Sequence, residues 1–203
     1  MKKINSPAEK IFFTSDTHFG HDWIINFNNR PYQTKEEMDC ALIENWNKVV
    51  PADGLTFVLG DIGFTSDKRI VDIFDQLNGE KILIRGNHDD NYTESTLNHI
   101  FTEIHDLLYI RVTDNIASKF YYMVLCHYPM LDWQSSFRGT WQLFGHLHTR
   151  ELEEFETFKT RLFAQQYDVG VDGNDFRPVS FYELRDIMEK QKEDKIFKDS
   201  NYY

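Results

Sequence analysis

Hydrophobic and polar positions alternate along the chain in blocks of two kinds. Ile11-Phe12-Phe13 is a short apolar run that ends in the polar stretch "TSDTHFGH". A short apolar run bounded by polar residues and glycine predicts a strand followed by a loop. "LTFVLGD", "KILIRGNHDD", "LLYIRV", "FYYMVLCHYP" and "WQLFGHLH" predict further strands, several of them repeating this form. Helical spacing fills the intervals. Thr34 to Val50 puts Met38, Ala41, Leu42, Trp46 and Val49 on one face, and Thr34 and Glu37 have capping-box spacing. Asp67 to Leu77 puts Ile70, Ile73, Phe74 and Leu77 on another, with Gly79 as a stop. Ser180 and Glu183 open a later helix, whose Phe181, Leu184, Ile187 and Met188 face inward. "YDVGVD" follows a helical or irregular stretch that starts at Glu151, and the last dozen residues, "KEDKIFKDSNYY", read as frayed.

The order is β-α-β-α-β early and mostly β later, which predicts a mixed α/β core. Its polar residues lie on loops at the C-terminal ends of strands, where open α/β sheets place ligands. With 203 residues, 41% of them hydrophobic, the chain can bury one good core, so a single domain over residues 1–203 is expected. No repeat or Pro/Gly/Ser-rich linker divides it.

Three features of composition change the picture. No apolar run approaches the length of a membrane span, and Met1 to Lys10 leads into no apolar segment, so a soluble cytoplasmic protein is expected, with no membrane partner. Cys40 and Cys126, far apart in the chain, are expected to be buried thiols. The net charge of −11 argues against a broad face for duplex nucleic acid, because phosphate backbones reward clustered Lys and Arg. A small phosphorylated ligand remains compatible, since bound cations reverse the field locally.

The histidines point to chemistry. Of eight, those at 18, 21, 127, 146 and 148 sit at or near strand ends or glycine turns. Five segments carry the pattern: Asp16-x-His18, Gly60-Asp61, Gly86-Asn87-His88, His127, and Gly145-His146-x-His148. Each alone is weak, since Gly-Asp after a strand is usually a turn and a lone strand-end histidine is usually a surface residue. Together they offer carboxylate, amide and imidazole ligands without thiolate, a set that suits first-row divalent ions. Seven ligands exceed one tetrahedral site and match two ions that share a carboxylate, with Asp61 as the natural bridge.

In this order the segments resemble the signature of the calcineurin-like metallophosphoesterase superfamily: D-x-H, G-D, G-N-H-D/E, H and G-H-x-H. The resemblance implies a two-sheet α/β sandwich with flanking helices in four layers. It implies one ion held by Asp16, His18, Asp61 and His148, and a second held by Asp61, Asn87, His127 and His146. His88 would not bind metal and would face the substrate as general acid. Gly86 would let the backbone turn tightly enough to place both Asn87 and His88. Two divalent transition ions (Mn, Fe, Zn or Ni) roughly 3.5–4 Å apart can acidify a bridging water and clamp a phosphoryl group. The implied activity is hydrolysis of a phosphomonoester or phosphodiester, with a small nucleotide or sugar phosphate as substrate. A nuclease acting on single strands and a non-catalytic binding module remain as alternatives, and oligomeric state is left open.

Around this set, His21 is a candidate for a substrate phosphate or for a hydrogen bond to a ligand. Arg30 and Arg85 are candidate phosphate contacts, Asp89 a candidate for orienting loop amides or a ligand histidine, and Asp90 a solvated residue. Asp168 and Asp172 read as solvated turn residues or a backbone brace. Two departures narrow the family. "GDIGF" replaces the V-D-R-G run of the protein serine/threonine phosphatases, and nothing after His148 is long enough for the capping domain of the recombination nucleases.

Overall fold

The computed structural model describes residues 1–149 and 160–193. Two five-stranded mixed sheets form an α/β sandwich. With strands numbered along the chain, the first sheet runs β10 (Val179–Ser180), β2 (Ile11–Thr14), β3 (Leu55–Val58), β4 (Glu80–Ile84), β5 (Glu103–His105). The second runs β1 (Lys2–Lys3), β6 (Leu107–Asp114), β7 (Lys119–Cys126), β8 (Trp141–Phe144), β9 (Gln166–Asp168). β2 to β5 are mutually parallel, as are β7 to β9, while β6 and β7 form an antiparallel hairpin.

Strand alternation divides the core in two. Ile11 and Phe13, Leu55 and Phe57, and Ile82 and Ile84 point between the sheets, where they meet Leu108, Ile110, Met123, Leu125 and Leu143. Phe12, Val58 and Leu83 point the other way, onto helices. Those helices are α1 (Asp22–Phe27), α2 (Lys35–Val49), α3 (Asp67–Phe74) and α4 (Glu94–Ile100), and they contribute Ile24, Met38, Trp46, Ile70, Phe74 and Leu97. A strand buried on both faces reads as a continuous apolar run, which is why these strands lack a clean alternation in sequence. A further helix, α5 (Phe181–Gln191), buries Phe181, Leu184 and Met188 in the inter-sheet cluster.

The caps differ in detail from expectation. Ser180 and Glu183 make both bonds of the capping box. Thr34 accepts from Glu37 N, but the Glu37 carboxylate takes Gln33 N instead of the cap's own N–H. The predicted α3 stops at Phe74, and Leu77 is buried just beyond it. Trp46 is core, as expected, with Nε1 donating to Asn78 O at 3.1 Å. The cysteines depart: Cys126 is half-buried at the end of β7, and Cys40 is exposed on α2, whose inward face is already filled by Met38, Leu42 and Trp46. The stretch starting at Glu151 is largely outside the described residues, as is most of the chain end. Among the described residues, no helix is long and apolar enough to cross a membrane.

Candidate metal centre

All the polar segments leave the C-terminal ends of β2, β3, β4, β7 and β8. The sheets place those ends side by side: β2, β3 and β4 are parallel neighbours, β7 and β8 likewise, and Ser15 bridges to Gly170 next to β9. α2 steadies the first loop, since buried Asp39 accepts from Gly20 N at 2.8 Å and from Arg69 Nη2 at 2.7 Å.

The backbone there is strained. Asp16, His18, Asp61, His146 and His148 all have φ between 49° and 71°, in the left-handed region. Each such non-glycine residue costs on the order of 1–2 kcal/mol, so the surrounding core must hold them there. Gly86 turns out to serve a different purpose from the one expected of it. Its φ is not positive, and what it supplies is room: a Cβ there would lie 2.4 Å from Asp61 Oδ1. Gly60, with φ of 88°, needs both the left-handed backbone and the space, since a Cβ would meet Gly86 N at 2.4 Å.

Two donor clusters result, Asp16–His18–His148 and Asp61–His127–His146, each with its ligand atoms within 4.8 Å of one another. Asp61 lies at their junction. Its Oδ2 is 3.6 Å from His127 Nε2, 3.7 Å from His18 Nε2 and 4.0 Å from His88 Nε2. Asn87 Oδ1 is 3.1 Å from His127 Nε2. His88 is held by its backbone N–H, which donates to Asp61 Oδ1 at 2.9 Å, and its ring is 39% exposed.

The residues fit divalent ions on three counts. The first is ring orientation. His127 Nδ1 donates to Leu59 O at 2.6 Å, and His148 Nδ1 donates to Asp172 Oδ2 at 2.9 Å. His18 Nδ1 is in hydrogen-bond contact with His21 Nδ1 at 3.3 Å. Each outer nitrogen is thus engaged, so the Nε2 of His127 and of His148 turns a lone pair inward, as metal-binding histidines do. The second count is an orphan: His18 Nε2 is buried with no hydrogen-bond partner. Donors on one tetrahedral ion at about 2.1 Å would sit about 3.4 Å apart, close to the spacings seen.

The third count is charge. Asp16, Asp61, Asp89, Asp168 and Asp172 are all buried near one another, with Arg30 a buried cation among them. Burial, with Asp168 and Asp61 nearby, drives the Asp16 carboxyl well above its ordinary range despite the pull of His148. Burial, with His148 and Arg30 close, holds His18 well below its ordinary value, and burial also lowers His146. His148 goes up: burial opposes its charge, but Asp172 and Asp16 outweigh it. Divalent cations would return Asp16 to the carboxylate, take the neutral imidazoles of His18 and His146 as they stand, and displace any proton from His148.

The remaining candidates sort by location. Asp89 is buried and accepts from Gly86 N, Asp61 N and Ile62 N at 2.7–3.1 Å, fixing the Gly60-Asp61 turn against the Gly86 turn. His21 reaches the outer nitrogen of His18. Arg30 faces no phosphate: it is buried, donates bidentately to Asp172 at 2.8 and 3.0 Å, and its other donors go to Asp16 O, Thr17 O and Met38 Sδ. Arg85 pairs at the surface with Glu94 and Asp90. Asp168 and Asp172 are not solvated. Asp168 accepts from Thr149 Oγ1 at 2.6 Å, and Asp172 joins Arg30 to His148. The Asp172 role stayed open in the sequence because Arg30 and His148 lie 142 and 24 residues away. The signal available was an arginine and an aspartate far apart in sequence, which does not specify a pair.

Comparison with known proteins agrees with this geometry. A family model described as calcineurin-like phosphoesterase matches residues 9–199. An uncharacterized protein of Methanocaldococcus jannaschii is 33% identical over 185 residues, covering 90% of this chain and 93% of that one. The gene 66 protein of Mycobacterium phage L5 is 29% identical over 199 residues, covering 87% and 93%. The crystal structure of a protein of unknown function from Aquifex aeolicus superposes with a TM-score of 0.62 at 26% identity, covering 87% of this chain and 98% of that one.

Proposed function

The chain belongs to the calcineurin-like phosphoesterase family, and on that footing we propose that it is a dinuclear metal-dependent phosphoesterase acting on a small phosphorylated compound. The observation that carries this reading is the convergence on Asp61, whose Oδ2 lies within 4.0 Å of histidines from three different loops. Asp16, His18, Asp61 and His148 would hold one divalent transition ion, and Asp61, Asn87, His127 and His146 the other. When bound, the two cations acidify a water and neutralise charge that develops on the phosphoryl oxygens.

The chain's own residues do the rest. Leu59 O and Asp172 set the tautomers of His127 and His148, so neither ring has to reorient. Asp89 locks the Asp61 and Gly86 turns together. His88, half-buried and tied through its backbone to Asp61, holds a proton at the ring for the departing oxygen. General acid help of that kind is worth about 10²–10⁴-fold. The protein acts in the cytoplasm, where Cys40 and Cys126, both free, stay reduced.

Metal analysis of manganese-supplemented protein should give close to two ions per chain, with the melting temperature raised by added metal. Aryl monoesters, aryl diesters, cyclic nucleotides and single-stranded DNA, assayed with manganese, should reveal hydrolysis of at least one class. His88→Ala should keep both ions and lose about 10²–10⁴-fold in turnover. No bound metal, or no turnover of any class, defeats the proposal.

A further inference from the structure

Two aromatic rings flank the donor clusters and stand out into solvent. Phe64, in the loop after β3, is 51% exposed, and Tyr128, next to His127, is 44% exposed. Phe64 stacks on His21 with centroids 4.9 Å apart and meets the His88 ring edge-on at 6.0 Å. Tyr128 sits edge-on to His146 at 4.8 Å and to His127 at 5.0 Å, with its hydroxyl 3.5 Å from Asn87 Oδ1. One ring thus borders the side of His88 and His21, and the other borders the Asp61–His127–His146 cluster.

The backbones under both rings are braced. Phe64 N donates to Phe19 O at 2.8 Å, Gly63 bridges to Phe19, and Thr65 N donates to Tyr92 Oη at 3.3 Å. Under Tyr128 lie two buried glutamines. Gln142 donates to Tyr128 O at 3.2 Å and accepts from Met130 N at 3.3 Å, while Gln166 donates to Met130 O at 2.9 Å and to Gln142 Oε1 at 2.7 Å. A buried amide is costly unless its bonds are made. Here those bonds fix a loop whose aromatic side chain stays outside, an arrangement that loses little further entropy when a flat ligand lands on it.

Among the described residues, the arginines beside the clusters are already engaged. Arg30 is buried against Asp172, and Arg85 is paired with Glu94. Among the described residues, the surfaces left open beside the clusters for the non-phosphoryl part of a substrate include these two rings. We propose, building on the phosphoesterase reading above, that Phe64 and Tyr128 are stacking platforms and that the substrate is a phosphate ester carrying a nucleobase. Phe64, beside His88, faces the portion that departs with the protonated oxygen, and Tyr128 faces the opposite side of the phosphoryl group.

The test is calorimetric titration of manganese-loaded protein with the isosteric phosphonates of adenosine 5′-monophosphate and ribose 5-phosphate, whose C–P bond resists hydrolysis. Stacking on aromatic side chains gives an expected preference for the base-bearing ligand of about 5- to 100-fold. Phe64→Leu and Tyr128→Leu, which keep apolar bulk and remove the π face, should together bring the ratio near one. Phe64→Trp and Tyr128→Phe should retain it. Wild-type protein that binds both phosphonates equally, or leucine variants that keep the preference, would overturn the platform assignment and leave the phosphoesterase reading standing. Failure to bind either phosphonate with metal present would remove both.

Discussion

The two donor clusters use the same residue types in opposite settings. Asp16 and His18 are fully enclosed, and His148, mostly buried, is braced by Asp172, which is itself braced by Arg30. Asp61 and His127 are equally enclosed, but His146 is exposed, and Asn87, beside His127, is exposed as well. The first cluster is a preorganised charge network, and the second is a half-built rim. Partners that orient a ligand histidine are typically worth 10- to 100-fold in metal affinity. The Asp16 cluster should therefore fill first and empty last, and the rim should be where ions and substrate exchange.

The heaviest blow to that comparison falls on the residue common to both halves. Asp61→Asn keeps the shape and removes the charge that offsets the repulsion between two cations. An amide nitrogen has no free lone pair and bridges poorly. The variant should fold, lose detectable turnover, and bind less metal at both clusters. Activity within tenfold of wild type, with two ions still bound, would mean that the clusters do not share a ligand.

Asp172→Asn separates the halves. It should weaken the Asp16 cluster by about 10- to 100-fold and leave the Asp61 cluster intact, so that chelation removes two ions together instead of one before the other. Equal weakening of both would contradict the assignment of the brace to one side. The same residue sets a pH dependence in the metal-free protein. Burial works against the Asp172 charge, but His148 and Arg30 outweigh it and hold the carboxyl at about 2. A folded-state value below the unfolded one, about 3.9, gives stability that is present above pH 4 and lost as pH falls toward 2. The contribution is on the order of 2–3 kcal/mol. Urea unfolding should show a gap between wild type and Asp172→Asn that is full at pH 5 and closes toward pH 2.

That contrast also marks what the sequence disclosed. The seven ligand candidates were legible because residue type and position after an apolar run are local properties, and β2, β3, β4, β7 and β8 follow that form. The strands β1, β5 and β10, of two or three residues each, carry too few positions to show a period. The bracing of His148 was hidden for another reason. Arg30 belongs to the turn after α1 and Asp172 to the turn after β9, and only the meeting of two sheets brings them together. Arginines near an acidic loop look like anion contacts until burial shows every donor already taken, as in Arg30. Gly86 teaches the same lesson, since its need for space comes from Asp61, a residue on another strand's loop.

The finest test lies on the open side. Asp89 and Asp90 are adjacent in sequence and opposite in setting: Asp89 is buried with three N–H donors, whereas the Asp90 side chain is 86% exposed and 3.9 Å from Arg85. An exposed pair at that distance contributes about 0–1 kcal/mol and is screened by salt. If the openness of the Asp61 cluster simply reflects solvent, removing the Asp90 charge should not matter to it. Asp90→Asn should then change turnover by less than about tenfold, equivalent to roughly 1.4 kcal/mol in the barrier. It should also leave the order in which the two ions are stripped unchanged. A larger loss, or early release of the rim ion, would show that loop charge tunes the open cluster much as the Arg30–Asp172 pair tunes the closed one, and the two halves would then differ in degree of burial but not in kind.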